Sequence, residues 1–271
     1  MLASVGVVGS PLFCFAMGPV PDMGAIALVA AAAVAGMVNA LAGGGSLITF
    51  PVLLATGLPA VVANVTNTLA LVPGYVGGLL SQRQDLRGQR QRMQWLVPAA
   101  AAGGLAGALL LLNTSERLFS SLVPWLIWLG ALLLAVQEPL RQWLLRRTGS
   151  LESASEAQWA LMPVLLAAVY GGYFGAGLGV IVLAVLALTL NDSLTRLNGM
   201  KQAISFAANS TAALVFLASG QVSWGAAGLM ALGSVAGGAV GGRLAGRVNP
   251  EYLRWGVVGI GVVIGCIYFW R

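Results

Sequence analysis

The sequence predicts an all-α integral membrane protein made of two related halves. Hydrophobic residues make up 58% of the 271 residues and charged residues only 8%, with a mean hydropathy of +0.88. A soluble domain of this length carries roughly a quarter charged residues. The apolar segments are long enough to cross a hydrocarbon core, which takes roughly 20 helical residues. No stretch is typical of a separate soluble domain, so we expect residues 1–271 to form a single transmembrane domain.

Hydropathy and arginine clusters predict the topology. The ten predicted helical segments are 24–42, 47–58, 60–80, 95–112, 118–136, 160–175, 178–190, 203–219, 225–242 and 255–270. The positive-inside rule places three clusters, within 83–92, 141–147 and 243–254, on the cytoplasmic side. Because the net charge of +6 comes from these helix ends, it does not indicate a nucleic-acid partner. Residues 1–21 lack the basic start of a secretory signal peptide, and their role is not apparent.

Two predicted segments are too long to be single crossings. As straight helices, 24–58 and 160–190 would measure about 52 and 46 Å. A glycine cluster interrupts each, so each is interpreted as a hairpin with a short second arm. The charge-derived topology makes the first hairpin open outside and the second open on the cytoplasmic side. The sequence therefore predicts two inverted-topology repeats, each a glycine-tipped broken-helix hairpin plus three transmembrane helices. Their bounds are about 24–137 and 159–270, joined by a cytoplasmic connector at about 138–158.

A weak internal alignment supports the two repeats independently. Residues 39–51 align with 172–184, which places Gly44 opposite Gly177 and Ser46 opposite Gly179. With one inserted residue, 64–68 falls on 198–202, so that Asn67 matches Lys201. In an inverted repeat the binding site is expected near the midplane, where discontinuous helices meet.

The glycine clusters and nearby polar residues are the candidate anion site. Glycine permits a sharp turn and close approach to bare backbone, and the helix after each tip presents unpaired N–H groups suited to an anion. The alternative is that the glycines only allow close helix packing. Likewise, polar side chains in a span either join helices or line a polar path. The candidate binding residues are Asn39, Gly43, Gly44, Gly45, Ser46, Thr66, Asn67, Gly175, Gly177, Gly179, Lys201 and Gln202.

Lys201 is the only lysine of the chain. A cation within a span is costly and usually marks a ligand or ion pathway. Its alternative role is to extend to the cytoplasmic interface, since Arg196 lies five residues earlier. The eight acidic residues are all predicted in loops or at helix ends, and there is no histidine. The sequence therefore offers no buried proton relay and no metal ligand cluster, and we expect neither cofactor nor metal.

The two glycine patterns resemble a known family. Leu41-Ala42-Gly43-Gly44-Gly45-Ser46, followed by Pro51 and Thr66, is similar to the first half of the sulfite exporter TauE/SafE family of permease-type membrane transporters. The run from Gly171 to Gly179 is similar to its second half, and the resemblance covers residues 24–270. It implies a multi-pass transporter of the bacterial inner membrane that carries sulfite or a small organosulfonate anion. Lys201 stands where the resemblance implies a small hydroxyl residue.

Three functions follow as hypotheses. The leading one is export of such an anion by alternating access, with the tip N–H groups and Lys201 holding its charge while Asn39, Asn67 and Gln202 donate hydrogen bonds. The second is an intramembrane hydrolase with a Ser–Lys dyad, since Ser205 lies four residues from Lys201. The third is a non-transporting assembly subunit of the membrane. The sequence favours the transporter and predicts no enzymatic activity.

Overall fold

The predicted all-α membrane class is confirmed by the structure, a computed structural model that describes residues 22–41, 43–147, 156–244 and 250–270. No strand occurs in these ranges. Their ten helices are α1 Asp22–Leu41, α2 Ser46–Ala55, α3 Ala60–Ser81, α4 Arg90–Leu112, α5 Glu116–Arg147, α6 Glu156–Tyr173, α7 Leu178–Thr189, α8 Leu194–Ala218, α9 Trp224–Leu244 and α10 Pro250–Phe269. The prediction about residues 1–21 lies outside the described residues.

Two helices differ most from their predicted bounds. α5 runs to Arg147, so the first part of the expected polar connector is helical, while residues 148–155 lie outside the described ranges. Glu138 had been predicted at a helix end, and this prediction is wrong because the residue lies inside α5. It pairs with Arg254 of α10 at 3.6 Å, which explains how a carboxylate is accommodated there. α8 begins at Leu194, nine residues before its predicted start, because Ser193 caps its first turn.

Both predicted hairpins are present as broken helices. The first is α1 and α2, which are separate helices ending at Leu41 and beginning at Ser46, and the second is α6 and α7, interrupted at 174–177. The second arms have only 10 and 12 residues, too short to span a bilayer. By length and composition, six of the described helices could cross a membrane: α1, α3, α4, α5, α9 and α10. α8 has 25 residues but is too polar to qualify, owing to residues such as Lys201 and Asn209.

The helix pairs follow a two-fold pattern. α1 packs most extensively on α9, and α6 packs most extensively on α4. In the same way, α3 packs on α9 and α8 packs on α4. Two further contacts join equivalent helices, α3 with α8 and α5 with α10. Exchanging α1–α5 with α6–α10 leaves these pairs unchanged. This is the packing expected of two similar halves.

Small residues bring the paired helices into close contact. A Cβ on Gly237 of α9 would lie 1.8 Å from the Ala33 carbonyl oxygen of α1. At the equivalent interface, a Cβ on Gly107 of α4 would lie 2.1 Å from the Val169 carbonyl oxygen of α6. No side chain fits at either place, so the backbones themselves are in contact.

Polar contacts define the two ends of the helix bundle. At one, called the arginine end, Arg92 near the start of α4 pairs with Asp192 before α8 at 2.7 Å. At the other, called the Glu116 end, the Glu116 carboxylate accepts hydrogen bonds from the N–H groups of Ala60 and Val61 at the start of α3. Hence α3 and α8 begin at opposite ends.

The remaining helix pairs also run in opposite directions. α9 begins after Ser223, whose N–H donates to the Thr66 hydroxyl in the first turns of α3, so it begins at the Glu116 end. α4 begins at the arginine end. α10 is antiparallel to α5, because Arg254 near its start pairs with Glu138 late in α5, while Phe269 packs against Trp128 early in α5. Opposite directions for α3 and α8, α4 and α9, and α5 and α10 are expected of an inverted repeat.

Candidate functional site

The first hairpin tip is a tight turn built on glycine. Gly43 and Gly44 have φ of +88° and +90°, a conformation that L side chains rarely adopt. The Gly43 N–H donates to the Val38 carbonyl at 2.8 Å and so closes α1. Asn39 then holds the tip from within α1, because its side-chain oxygen accepts a hydrogen bond from the Gly45 N–H at 2.8 Å.

The second tip repeats this geometry. Gly175 and Gly177 have φ of +80° and +79°. The Tyr170 hydroxyl donates to the Ala176 carbonyl at 2.6 Å, so a side chain of α6 holds the turn much as Asn39 holds the first. Tyr170 was not among the predicted site residues, although its hydroxyl in an apolar helix, five residues before Gly175, was an available signal.

The two tips meet beside the middle of α5. A Cβ on Gly43 would lie 3.8 Å from the Cα of Gly179, and the reverse distance is also 3.8 Å. Gly44 lies against Leu134 of α5, and its alignment partner Gly177 lies against Leu133. Because both tips rest on the same turn of α5, this helix sets the distance between them. The sequence placed Gly43 and Gly179 in one site, and the structure does bring these two together.

Lys201 lies at the junction of the tips. Its Cδ and Cε atoms would be 3.5 and 3.8 Å from a Cβ on Gly179, the second residue of α7. The side chain is only 2% exposed, so it does not extend to an interface. Among the residues that the structure describes, none forms a hydrogen bond or ion pair with its ammonium group. A buried cation without an anionic partner, beside a helix N-terminus, favours an anionic ligand.

Both hairpin tips carry backbone N–H groups without an acceptor in the part of the chain that the structure describes. Ser46 is the first residue of α2, and Gly179 is the second residue of α7. In the described ranges, no carbonyl accepts a hydrogen bond from the N–H group of either residue. The same holds for the N–H groups of Gly44 and Gly177. These four groups occupy matching positions of the alignment. They are the unpaired donors that a helix N-terminus offers to an anion.

Asn67 occupies in the first half the place that Lys201 occupies in the second. Its side-chain oxygen accepts a hydrogen bond from the Thr49 hydroxyl at 2.5 Å, and Thr49 lies in the first turn of α2. Both side chains are buried. Thr49 was not predicted, because its alignment partner Val182 is apolar. As the one polar residue of α2 after Ser46, it could have been noticed.

Two predicted site residues face elsewhere. Thr66 is fully buried and accepts from the Ser223 N–H at 3.0 Å, so it fastens the α8–α9 loop at the Glu116 end. Gln202 packs against α3, where its Nε2 atom would lie 2.9 Å from a Cβ on Gly78. Successive residues of a helix point about 100° apart. Because Asn67 and Lys201 face the hairpins, Thr66 and Gln202 turn away from them.

The alternative chemistries find no support in the side-chain contacts. The Ser205 hydroxyl is buried and has no hydrogen-bond partner in the part of the chain that the structure describes, so it forms no dyad with Lys201. In the same ranges there is no group of three or more histidine, cysteine, aspartate or glutamate residues that could hold a metal ion. What the site does present is a positive, donor-rich junction of two helix breaks.

Comparison with known proteins shows the family of the chain. The family described as sulfite exporter TauE/SafE matches residues 28–268, which include both hairpins and Lys201. The chain belongs to the TauE/SafE family. The resemblance noted in the glycine motifs is thus confirmed over most of the chain, and the protein is a multi-pass bacterial membrane protein of a transporter family.

Proteins from several bacteria are similar to this chain over most of their length. A probable membrane transporter protein of Haemophilus influenzae is 26% identical over 82% of this chain and 85% of its own. Probable membrane transporter protein ORF9 of a Sinorhizobium species is 29% identical over 84% and 85%. Probable membrane transporter protein YfcA of Escherichia coli K12 is 24% identical over 86% and 85%. No solved structure matches the chain.

Proposed function

We propose that this TauE/SafE protein exports sulfite or a small organosulfonate across the bacterial inner membrane by alternating access between two inverted repeats. The observation that carries the proposal is Lys201, a buried ammonium beside Gly179 at the meeting point of the hairpin tips, with no partner among the residues that the structure describes. The family supplies the sulfur oxyanion, and the positive-inside rule supplies the inner-membrane orientation. The protein is not an enzyme in this proposal.

The inverted packing supports alternating access. Equivalent helices begin at opposite ends of the bundle, so a motion that opens one end of the tip junction has a counterpart that opens the other. Contacts between the halves are present at both ends of the bundle. At the arginine end, besides the Arg92–Asp192 pair, Asn198 donates to Gln82 at 2.8 Å and Gln89 donates to the Arg196 carbonyl at 3.1 Å. We take these contacts as the closed cytoplasmic entrance.

The anion would bind where the donors converge. The Lys201 ammonium supplies the charge, and the N–H groups of Ser46 and Gly179 supply directed hydrogen bonds from the two halves. Such charge-assisted bonds are stronger than those between neutral groups. Because both hairpins contribute, release requires the tips to separate, which couples ligand binding to the arrangement of the halves.

Lys201→Ala tests the proposal. We expect the wild-type protein to be stabilised against heat by sulfite or by sulfoacetate, since a ligand stabilises the state that it binds. The variant should lose this stabilisation and should lose anion transport in proteoliposomes by tenfold or more. Sulfate, thiosulfate and acetate serve as comparison anions.

Ser205→Ala is the matched control, one helical turn along the same face of α8. It should keep both the stabilisation and the transport, whereas a Ser–Lys hydrolase would require this hydroxyl. If Lys201→Ala transports every tested anion at the wild-type rate, the role of Lys201 is refuted. If no anion stabilises or crosses with the wild-type protein, the assembly-subunit hypothesis takes its place.

A further inference from the structure

The amide groups near the tips have a fixed orientation. The Gly45 N–H can only donate, so the atom of Asn39 that lies 2.8 Å from it must be the amide oxygen. The Thr49 hydroxyl has one proton to give, and its 2.5 Å contact with Asn67 is much shorter than its 3.2 Å contact with the Gly45 carbonyl. That proton therefore goes to the Asn67 oxygen. In both asparagines the oxygen is occupied and the NH₂ group remains.

Most carbonyl oxygens of the tips are occupied as well; within the described ranges, those of Gly43 and Phe174 accept no hydrogen bond. Those of Gly44, Gly45, Gly175 and Gly177 each accept a backbone N–H from the following turn, with N···O distances between 2.9 and 3.2 Å. The Ala176 carbonyl accepts the Tyr170 hydroxyl. Each of these acceptors is thus already engaged by the hairpin itself.

Most of the groups that remain are donors. They are the Lys201 ammonium, the NH₂ groups of Asn39 and Asn67, and the N–H groups of Gly44, Ser46, Gly177 and Gly179, none of which donates a hydrogen bond within the described ranges. Lys201 and Asn67 are 2% and 1% exposed, so water does not solvate them freely. The Ser46 hydroxyl and the Ser205 hydroxyl, one turn along α8 from Lys201, can each donate or accept.

We infer that this site selects oxyanions whose head group carries acceptors only. A sulfonate or fully ionised sulfite offers three oxygens and no hydrogen, so each oxygen meets a donor. A protonated head group brings an O–H that needs an acceptor, whereas most of the groups that it meets here are donors. Leaving such a group unpaired in a buried site carries the full cost of its desolvation. The inference rests on the proposed function, because it concerns the ligand of the same site.

Two isosteric anions test it. Methanesulfonate and methylphosphonate have the same shape and, at mildly acidic pH, the same single charge, but the phosphonate then keeps one O–H. We expect methanesulfonate to bind the purified wild-type protein at least tenfold more tightly, measured by calorimetry and by thermal stabilisation. Raising the pH until the phosphonate loses its proton should reduce this preference.

Asn67→Asp tests the donor inventory directly. The change replaces the NH₂ donor by an oxygen at nearly constant shape, so it should weaken methanesulfonate about tenfold while weakening the protonated phosphonate less. Asn113→Asp makes the same chemical change at the exposed end of α4 and should leave both affinities as they are. A general loss of folding would lower both affinities together and would not change their ratio.

Thr49→Val is the second variant. It removes the hydroxyl that orients the Asn67 amide without adding charge, so the amide can rotate and present its oxygen. The preference for methanesulfonate should then fall, even where the protein remains as stable as the wild type.

The outcomes separate this inference from the proposed function. If both anions bind the wild type within about threefold of each other, the acceptor-only selection is refuted while anion binding stands. If the preference is present but neither Asn67→Asp nor Thr49→Val changes it, the assignment to this site is refuted. If neither anion nor any sulfur oxyanion binds, the proposed function fails and takes this inference with it.

Discussion

Asn39 combines two tasks at the first hairpin tip. Its oxygen pairs the Gly45 N–H, a backbone donor that the left-handed turn at Gly43 and Gly44 would otherwise leave unpaired. Its NH₂ group stays available beside the proposed ligand. The two roles of Asn39 can be separated by a substitution that keeps the side-chain oxygen and removes the NH₂ group.

Asn39→Ala should destabilise the protein by about 1–3 kcal/mol, because the Gly45 N–H loses its partner in a site that water does not readily reach. Asn39→Asp keeps the oxygen and should recover most of this stability, but it should still weaken anion binding because the NH₂ donor is lost. Thermal unfolding of the protein in detergent measures the change in stability. The shift of the unfolding temperature on adding the anion measures the change in binding. Equal instability of the two variants would contradict the assigned hydrogen bond.

At the scale of helices, stability depends on pairs that cross between the halves. α1 and α9 approach so closely that the Gly237 backbone lies against Ala33. α4 and α6 make the corresponding contact. In lipid, where the hydrophobic effect between helices is weak, such backbone proximity supplies the van der Waals packing that holds helices together.

Gly237→Leu should separate α1 from α9 and cost at least about 3 kcal/mol, because even its Cβ would overlap the Ala33 carbonyl. Gly228→Leu is the matched control in the same helix, since a Cβ there meets nothing within 4 Å. Thermal unfolding and the yield of monodisperse protein measure the difference. If both variants unfold at the same temperature, the close approach of α1 and α9 is wrong.

The sequence predicted where the helices and hairpins lie better than it predicted which side of each helix faces the site. Long apolar segments with glycine interruptions located both hairpins to within a few residues, because a helix longer than the bilayer must break and glycine marks where. Periodicity in α3 and α8 could not assign faces, since both helices are buried nearly all round. For that reason Thr66 and Asn67, or Lys201 and Gln202, could not be distinguished until the packing partners of each helix were known.

At the scale of the whole molecule, the proposed inversion makes a topological prediction. The α3–α4 loop and the α8–α9 loop occupy equivalent places in the two repeats, so they should lie on opposite sides of the membrane. In a variant with Cys14→Ser and Cys266→Ser, a membrane-impermeant maleimide should label Gln221→Cys in intact cells. It should label Gln84→Cys only after permeabilisation.

Gln84 and Gln221 are both exposed, so a difference in labelling reports sidedness and not burial. Asn113→Cys in the α4–α5 loop should behave like Gln221→Cys. Labelling of Gln84→Cys and Gln221→Cys from one side would exclude the inverted repeat, whatever the transport activity.

The equivalence of the halves is imperfect at one position of consequence. Lys201 and Gly179 both belong to α6–α10, whereas the matching position in the first half carries the neutral Asn67. The negative charge of a bound anion would be balanced by the second half alone, so the anion would be held more strongly by that half. When the tips separate, the anion would therefore remain bound to the second half. Its contacts with the first half would form on binding and break on release.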